Sequence, residues 1–588
     1  MSIFMFLSLI GGLALFLYGM DTMSAGLAKL TGGKLQEILQ RLTSNKWKAC
    51  LLGVVVTAII QSSSSTTVMV VGMVNSGILK LSQVVGIIFG ANIGTTVTAW
   101  VLSLTGIQGD SFFVQLLKPT TFSPIIAMIG VIMIMAAKEA SKKDIGRIMV
   151  GFAILMFGME TMSAAVKPLG DNPAFAQAMT YFRNPLLGVL MGTVITAIIQ
   201  SSSASVGILQ ALSLTGNLNY GITIPIIFGQ NIGTCITSIL SAIGTNKNAK
   251  SAALVHLYFN IIGTGIFMIV YFIATTLFNI AFLDQVTTPV GIAIIHSIFN
   301  ISSTIVLMPF SEQITKLAVK TLQGKEEEVP ARTLSKLDPL FLSNPSYAVR
   351  QAHEVSVKLG RDCLKSLRLS FPLITEFDVD KYDQIVAIEQ KIDEYEDSLG
   401  SYLVKLSGID LSEKDHRLVS ILMNSLGDFE RISDHITVVA ENCKEKHKVQ
   451  GKFTKTAIEE LTVFQEALEA ILEKTVQAFE NLDLEQAYTI EPLEEVIDRL
   501  NGKVKKNHIK RLQQEICSID MGFILINITT SYSRISDHCS NIGVAMIEIM
   551  EDDFQTHQYL EDLKGDPQFK KKVKEYKARY KLPEAKTL

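Results

Sequence analysis

The sequence predicts an all-α protein in two parts. The first is a polytopic membrane part with inverted repeats and re-entrant hairpins, and the second is a cytosolic helical bundle of two three-helix repeats. Charge separates them, because residues 1–312 hold 15 basic and 9 acidic residues, whereas residues 313–588 hold 38 and 47. Hydropathy agrees, because long windows of the first part lack charged side chains. Both parts also contain duplicated blocks. A chain of 588 residues, 48% hydrophobic, is neither disordered nor fibrous.

Five windows of the first part contain no Asp, Glu, Lys or Arg: 49–79, 119–137, 184–246, 251–283 and 285–311. A membrane-spanning helix needs about 20 apolar residues, so these windows are long enough for several spans and, in the longest, for hairpins. The apolar stretch 2–20 lacks a basic flank and a cleavage site, so we expect a retained span. The six cysteines are scattered, which argues against a disulfide framework or a zinc ribbon.

Basic residues mark cytoplasmic loops. Residues 24–48 carry five basic side chains against one acidic one, and residues 138–147 carry four against two, so both loops should be cytoplasmic. Residues 277–287 carry only Asp284 and should lie outside. The first span then runs inwards, and the span at about 148–163 runs outwards. These two spans are therefore predicted to be antiparallel.

Three blocks of the membrane part recur at a constant offset of 139 residues. They pair 19–24 with 158–163, 57–64 with 196–203, and 87–95 with 226–234. The middle pair is identical at all eight positions. A duplicated unit in opposite membrane orientations is the inverted repeat of secondary transporters. We therefore predict membrane repeats at 1–139 and 140–312, the second with an extra span.

Each copy of the middle block ends in a glutamine followed by serines, Gln61 to Ser65 in one repeat and Gln200 to Ser203 in the other. Hydroxyl groups in hydrocarbon need partners, and the apolar stretches on either side are too short for a comfortable crossing. Such paired segments predict a re-entrant hairpin or a broken helix. A half-helix N-terminus at the tip would offer N–H groups to a tetrahedral oxyanion, and carbonyls at the opposite helix end could bind Na⁺. The alternative is that these serines only pack helices.

Four polar residues inside apolar segments are weaker candidates: Asn92, Thr95, Asn231 and Thr234. They either line the site or pack helices. Asp21 and Glu160 are repeat-matched acids at the edges of apolar spans, where a carboxylate has either a functional or an interfacial, structural role.

The paired Gln-Ser-Ser-Ser blocks and the Gly-x-Asn-Ile-Gly-Thr blocks resemble the type II sodium–phosphate cotransporter family over about residues 1–311. The resemblance implies a carrier in which both motifs, on facing hairpins, bind inorganic phosphate and Na⁺. Carried over by position, it marks Gln61, Ser62, Ser63, Ser64, Thr66, Gln200, Ser201, Ser202 and Ser203. The second block continues Ala204-Ser205 where the first has Ser65-Thr66, so the division of phosphate and sodium ligands stays open. Ser65 and Ser205 are included among the predicted ligands.

The second part begins after a linker at 313–345, which is rich in Pro and Glu. Helical periodicity then predicts six helices, at 346–370, 380–406, 412–446, 452–482, 484–514 and 516–550. These helices form the predicted cytosolic domain at 346–550. Residues 551–588 are expected to be a charged tail, helical or disordered.

The second part is duplicated as well. Glu-x-x-x-Asp recurs with an offset of 105, and Arg-Ile-Ser-Asp-His recurs with an offset of 103. Acids four residues apart share a helix face, which is either a solvated acidic face or a cation site. These blocks resemble the PhoU-like family of phosphate-signalling helical bundles, whose motifs can bind metal clusters. The resemblance implies a divalent or iron-type metal at seven acidic residues: Glu389, Asp393, Glu430, Asp434, Glu494, Asp498 and Asp537. The second repeat has Ser533 at the position of Glu430, and the first has Val438 at the position of Asn541, so each repeat lacks one ligand.

The sequence thus predicts a sodium-dependent transporter of inorganic phosphate that uses alternating access and carries a regulatory domain. We expect a multi-pass protein of the plasma or inner membrane with its C-terminal domain in the cytoplasm. The alternatives are a phosphate exporter and a phosphate-sensing receptor. No G-x-S-x-G, Walker A or H-E-x-x-H motif is present, so no enzymatic activity is expected. Besides phosphate and the lipid bilayer, the expected partners are a phosphate-signalling protein or a second copy of the chain, and not nucleic acid.

Overall fold

The computed structural model describes residues 3–31, 45–107, 111–116, 118–322, 333–551 and 567–583. Helices dominate throughout these ranges, which confirms the predicted all-α class. The chain divides into two compact units, Met1–Tyr347 and Ala348–Leu588. The domain boundaries given above stay predictions.

The membrane unit contains fifteen α-helices within the described residues. In chain order they are α1 Ile3–Thr31, α2 Lys46–Ile60, α3 Ser63–Asn75, α4 Leu81–Ser103, α5 Phe112–Leu116, α6 Pro119–Ala136, α7 Ala140–Val166, α8 Pro173–Tyr181, α9 Pro185–Ile199, α10 Ser202–Ser213, α11 Tyr220–Gly233, α12 Cys235–Ser241, α13 Lys247–Leu277, α14 Pro289–Leu307 and α15 Ser311–Thr321. Seven helical segments of the described ranges are long and apolar enough to cross a membrane, or up to eight if a bent pair counts as one span. The unit is therefore a multi-pass membrane protein.

Glycines let α1 and α7 approach backbone to backbone. Gly12 lies against Gly158, Gly19 against Gly151, and Gly26 against Ile148. The residue numbers rise along one helix as they fall along the other, so the two helices are antiparallel. This agrees with the opposite orientations predicted for the first spans of the two repeats.

The same close approach recurs inside each repeat. Gly90 of α4 packs on the carbonyl of Cys50 in α2, and Gly229 of α11 packs on the carbonyl of Val189 in α9. Both residues of each contact are related by the offset of 139. The duplicated sequence therefore folds into duplicated helix packing.

Two details of the membrane unit differ from the sequence prediction. Residues 24–31 continue α1, although we predicted a loop from residue 24, because Ala25, Leu27, Ala28 and Leu30 are good helix formers. The segment predicted as a linker contains most of α15 and, further on, the 3-10 helices Thr333–Leu337 and Pro339–Ser343.

The helical unit contains α16 Pro345–Ser370, α17 Val379–Ser407, α18 Glu413–Lys448, α19 Lys455–Asn481, α20 Leu484–Ala487, α21 Ile490–Gln513, α22 Ile519–Glu551 and α23 Pro567–Arg579. The six predicted helices are present, except that the fifth is broken. Proline has no N–H to donate to the carbonyl four residues before it, and its ring clashes with that carbonyl. Pro492 therefore prevents one continuous helix through Tyr488, and a new helix begins at Ile490. In the predicted tail, α23 buries Phe569, Val573 and Tyr576.

The packing of α1 on α7 predicts that a side chain at Gly19 destabilises the protein. A Cβ atom there would lie 2.6 Å from the Gly151 carbonyl oxygen and 2.8 Å from the Leu155 Cα. We expect Gly19→Ala to push the two helices apart and destabilise the protein by about 1–3 kcal/mol. Thermal unfolding of the purified protein in detergent measures this.

Gly11 provides the matched control on the same helix, because no atom lies within 4 Å of a Cβ built there. Gly11→Ala should leave the melting temperature unchanged or slightly higher, since alanine is the better helix former. Equal melting temperatures for the two variants would contradict the proposed packing.

Candidate functional site

Both glutamines of the repeated blocks end a helix in a left-handed conformation. Gln61 and Gln200 each have φ of 59°, and their N–H groups each donate to a threonine carbonyl at 2.8 Å, that of Thr57 and that of Thr196. A left-handed backbone conformation costs on the order of 1–3 kcal/mol of folding free energy for a residue other than glycine. The glutamine therefore breaks α2 from α3, and α9 from α10, in the same way. The predicted hairpins with polar tips are present.

The serine after each glutamine caps the second helix of its hairpin. The Ser62 hydroxyl accepts from the Ser65 N–H, and the Ser201 hydroxyl accepts from the Ala204 N–H, both at 3.2 Å. Helix α3 starts at Ser63 and α10 at Ser202. Each tip thus presents a helix N-terminus, with its N–H donors and the positive end of its dipole.

The two tips line one cavity of about 320 Å³. Eight of the residues that the sequence predicted as ligands line it: Gln61, Ser62, Ser63, Ser64, Ser65, Ser201, Ser202 and Ser203. Helix α1 adds Leu17, Met20, Asp21 and Ser24. Asp21 is the charged residue among these described lining residues. The structure therefore brings residues 139 positions apart in sequence to a common space beside one carboxylate.

Thr66 and Ser205 lie behind the tips and do not line this cavity. Thr66 accepts a hydrogen bond from Thr57 at 3.1 Å, and Ser205 accepts one from Thr196 at 2.7 Å. Gln230 also donates to the Ser205 hydroxyl at 3.0 Å. The two threonine bonds tie the helices of each hairpin together, and the Gln230 bond ties the second hairpin to α11, so these residues support the tips.

The two glutamines differ in their side-chain surroundings. The Gln61 carbonyl accepts from the Thr98 hydroxyl at 2.9 Å, which fixes the first tip to α4. Gln200 is exposed and does not line the cavity. Thr237, the repeat equivalent of Thr98, donates instead to Ser64 of the first tip at 3.3 Å. The first tip is thus held by both repeats.

The weaker candidates lie among packed helices and not on the cavity. Asn92 faces the ring of His256 and the amide of Asn260, at 3.4 and 3.5 Å. Thr95 and Asn231 donate to carbonyls one turn earlier in their own helices. Thr234 is buried as well. The positions of these four residues fit helix packing, which was the alternative left open by the sequence. Ion binding at these residues stays a prediction.

Sequence reasoning left the role of Asp21 open and missed Ser24, Thr98 and Thr237. Ser24 belongs to the first duplicated block, and the two threonines are related by the offset of 139, so extending the repeat comparison would have found all three. Glu160, the repeat equivalent of Asp21, is exposed and lines a different cavity.

In the helical unit, three predicted carboxylates gather. The carboxylate oxygens of Glu389, Asp393 and Asp434 lie within 4.8 Å of one another. Burial, followed by repulsion from Asp393 and Asp434, raises the pKa of Glu389, and burial and Asp434 raise the pKa of Asp393. Glu430 lies outside this trio, although burial and Asp434 raise its pKa too. Oxygen ligands with unbalanced negative charge suit a divalent cation.

The second predicted set is arranged differently. Glu494 and Asp537 line a cavity of about 420 Å³, whereas Asp498 is exposed and absent from its lining. Asp537 pairs with Arg534 at 3.3 Å. Nearby, Asp428 accepts from His538 at 2.8 Å. Within the described residues, the first set alone forms a group with metal-ligand spacing.

Comparisons with known proteins agree with both duplications. The family model described as Na⁺/Pi-cotransporter matches residues 15–164 and 154–295, and the PhoU domain model matches residues 357–443 and 462–546. Each model therefore matches twice.

Relatives match nearly the whole chain or a part of it. YjbB of Escherichia coli, whose name proposes inorganic phosphate export, is 23% identical over 94% of this chain and 99% of its own length. Sodium-dependent phosphate transport protein 2A of Rattus norvegicus is 28% identical over 32% of this chain and 29% of its own. The crystal structure of PhoU from Pseudomonas aeruginosa is 19% identical, with a TM-score of 0.33 over 35% of this chain and 96% of that one. Two hairpin tips at one cavity and both doubled matches lead to one assignment: residues 15–295 form a Na⁺/Pi-cotransporter domain, and the chain also carries a PhoU domain.

Proposed function

We propose that this protein is a sodium-coupled secondary carrier of inorganic phosphate, with its PhoU domain in the cytoplasm as a regulator. The observation that carries the proposal is the cavity between the two Gln-Ser-Ser-Ser tips, where the N-termini of α3 and α10 meet. Helix N-termini bind phosphate through backbone N–H groups and the helix dipole. Serine hydroxyls of both tips add donors to the oxygens of the anion.

Asp21 gives sodium a physical role at this cavity. A carboxylate repels a phosphate anion, so a cation between the two would make binding of the anion favourable. The Asp21 carboxylate and the serine oxygens are hard ligands of the kind that such a cation prefers. The rat relative, which is named as sodium-dependent, supports the same coupling.

Inverted repeats support alternating access, because two similar halves can rock around a site at their interface. The direction of net transport follows from the ion gradients. The relative YjbB, named for phosphate export, favours efflux as the second candidate for the direction in the cell. Both directions use the same cavity.

The first functional prediction concerns the tip serines. Ser63→Ala and Ser202→Ala each remove a hydroxyl from the cavity, and losing one hydrogen bond to an anion should raise KM for phosphate by roughly 10- to 100-fold. Uptake and release of labelled phosphate by proteoliposomes, under a Na⁺ gradient against a matched K⁺ gradient, measure this.

Asp21→Asn should weaken the dependence of the flux on Na⁺.

Ser123→Ala is the matched control, because Ser123 is a buried membrane serine on α6 that is not among the residues lining the cavity. It should transport as the unaltered protein does. Absence of sodium-dependent flux from folded unaltered protein, in both directions, would refute the carrier. Wild-type KM in both tip variants would refute the assigned site.

We also propose that the trio Glu389, Asp393 and Asp434 binds a divalent cation. Three carboxylates held together without a cation repel each other, which is the reason that the pKa values of Glu389 and Asp393 are raised beyond the effect of burial. A bound cation would relieve this repulsion. Protons compete for the same oxygens, so affinity should fall as the pH drops through those raised pKa values.

The corresponding prediction is a metal-dependent thermal shift. In the full-length protein, Mn²⁺ at about 100 times its Kd should stabilise the PhoU domain by about 2.7 kcal/mol, and Asp434→Asn should abolish the shift. Without metal, Asp434→Asn should unfold at the same or a higher temperature, because it removes one of the repelling charges.

Glu376→Gln, an exposed change outside the trio, is the charge-matched control and should keep the full shift. Raised carboxyl pKa values mean that the folded state binds protons more tightly than the unfolded state. The contribution of Glu389 and Asp393 to metal-free stability should therefore improve as the pH falls through their raised values. An equal Mn²⁺ shift in Asp434→Asn would refute this site.

A further inference from the structure

Helix α3 carries the first hairpin tip at one end and a half-buried polar junction at the other. The tip, Ser62 to Ser65, forms its N-terminus, and Asn75 is its last residue. Thirteen residues of helix span about 20 Å and move as one body. Whatever holds Asn75 therefore also sets the position of the tip.

Asn75 is bound from two sides. Its amide nitrogen donates to the Asp338 carboxylate at 2.6 Å. Its side-chain carbonyl accepts from the Asn246 N–H at 2.9 Å, and its backbone carbonyl accepts from the Asn246 side chain at 2.8 Å. Asn246 is the N-cap of α13, so this junction ties the hairpin of the first repeat to the second repeat.

Asp338 belongs to a strap, residues 337–347, that lies along α3. The Asp338 carboxylate oxygen that does not bind Asn75 accepts a hydrogen bond from the Leu340 N–H at 2.8 Å. This bond caps the 3-10 helix Pro339–Ser343. Only 8% of Asp338 is exposed, so its carboxylate depends on such bonds. A charge-assisted bond of this kind is about twice as strong as a neutral one.

Apolar contacts hold the same strap on α3. Leu340 and Phe341 pack against Gly72, where an added Cβ would lie 3.0 Å from each of them. Phe341 is fully buried, and its ring meets the ring of Tyr347 edge-on at 4.9 Å. The chain then continues directly along α16, Pro345–Ser370, towards the PhoU domain.

The second hairpin differs at the equivalent position. The residue 139 positions after Asn75 is Leu214, whose side chain cannot form a hydrogen bond. The strap therefore binds a polar residue at the end of the first hairpin, and the second hairpin has no such residue at the equivalent position.

We propose that Asn75 and Asp338 are positioning residues for transport: the docked strap holds α3, and with it the first tip, in the arrangement that binds phosphate. The inference rests on the proposed function and gives the regulatory PhoU domain a covalent route to the site. In the structure the strap is docked and both tips share one cavity, so the docked arrangement is the binding-competent one. Releasing the strap lowers the population of that arrangement, and apparent affinity falls by the same factor.

The test is transport kinetics in proteoliposomes. Asn75→Ala and Asp338→Ala should each raise KM for phosphate by roughly 3- to 10-fold, while Vmax per folded protein stays equal or rises. Each change also removes a bond of its own, from the Asn246 N–H to Asn75 or from the Leu340 N–H to Asp338, but the bond between Asn75 and Asp338 is lost only once. The double variant should therefore raise KM by less than the product of the two single effects. A purely structural defect would instead lower Vmax at an unchanged KM.

The exchange N75D/D338N is the rescue variant, since an amide at 338 can still donate to a carboxylate at 75 and accept from the Leu340 N–H. It should restore KM towards the unaltered value. Leu214→Ala, at the equivalent position of the second hairpin, is the control and should leave KM unchanged. If the unaltered protein transports phosphate and both single variants keep its KM, the strap inference fails while the carrier stands. If the unaltered protein carries no phosphate, the proposed function itself fails.

Discussion

The membrane unit depends on one constraint: a polar group placed within an apolar segment must find its partners inside the protein. A helix that ran through Gln61 and the serines after it would have to bury their side chains among apolar neighbours without partners. The chain instead breaks, with the glutamine left-handed and the next serine as N-cap, and a new helix begins. That solution exposes N–H donors at the break. The requirement that shapes the hairpin is thus also the origin of the N–H donors at its tip.

Glycine packing then places the two breaks together. The contacts of Gly90 with Cys50 and of Gly229 with Val189 bring the helices of each repeat to backbone distance, and Gly19 does the same for α1 and α7. A larger residue at any of these positions would displace a helix that supports a tip. The size of the cavity therefore also depends on glycines that do not line it.

The supports are not symmetric, although the tips are. Thr98 holds Gln61 within its own repeat, whereas its equivalent Thr237 reaches across to Ser64. The PhoU domain shows a parallel divergence. One Glu-x-x-x-Asp motif joins a compact trio of carboxylates, and in the other repeat Arg534 pairs with Asp537. The two copies of each motif thus share their local sequence but lie in different surroundings.

The sequence alone determined the features that depend on local order and repetition. The helices, the break at Gln61 and Gln200, and the antiparallel first spans follow from hydropathy, loop charge and the offset of 139, because such signals are carried by neighbouring or regularly spaced residues. Sequence reasoning erred where a helix former extended α1 beyond residue 24 and where Pro492 divided a helix. Both errors are local.

Only the tertiary structure decided which distant residues meet. Asp21 faces the tips, Asn75 binds Asp338 across 263 positions, and Asp498 is left outside the carboxylate trio. These outcomes depend on how helices are rotated and offset against each other, and that rotation is set by the summed packing of glycines and side chains over the whole unit. A one-dimensional pattern fixes which residues share a helix face, but the neighbour that this face meets is a property of the packed molecule.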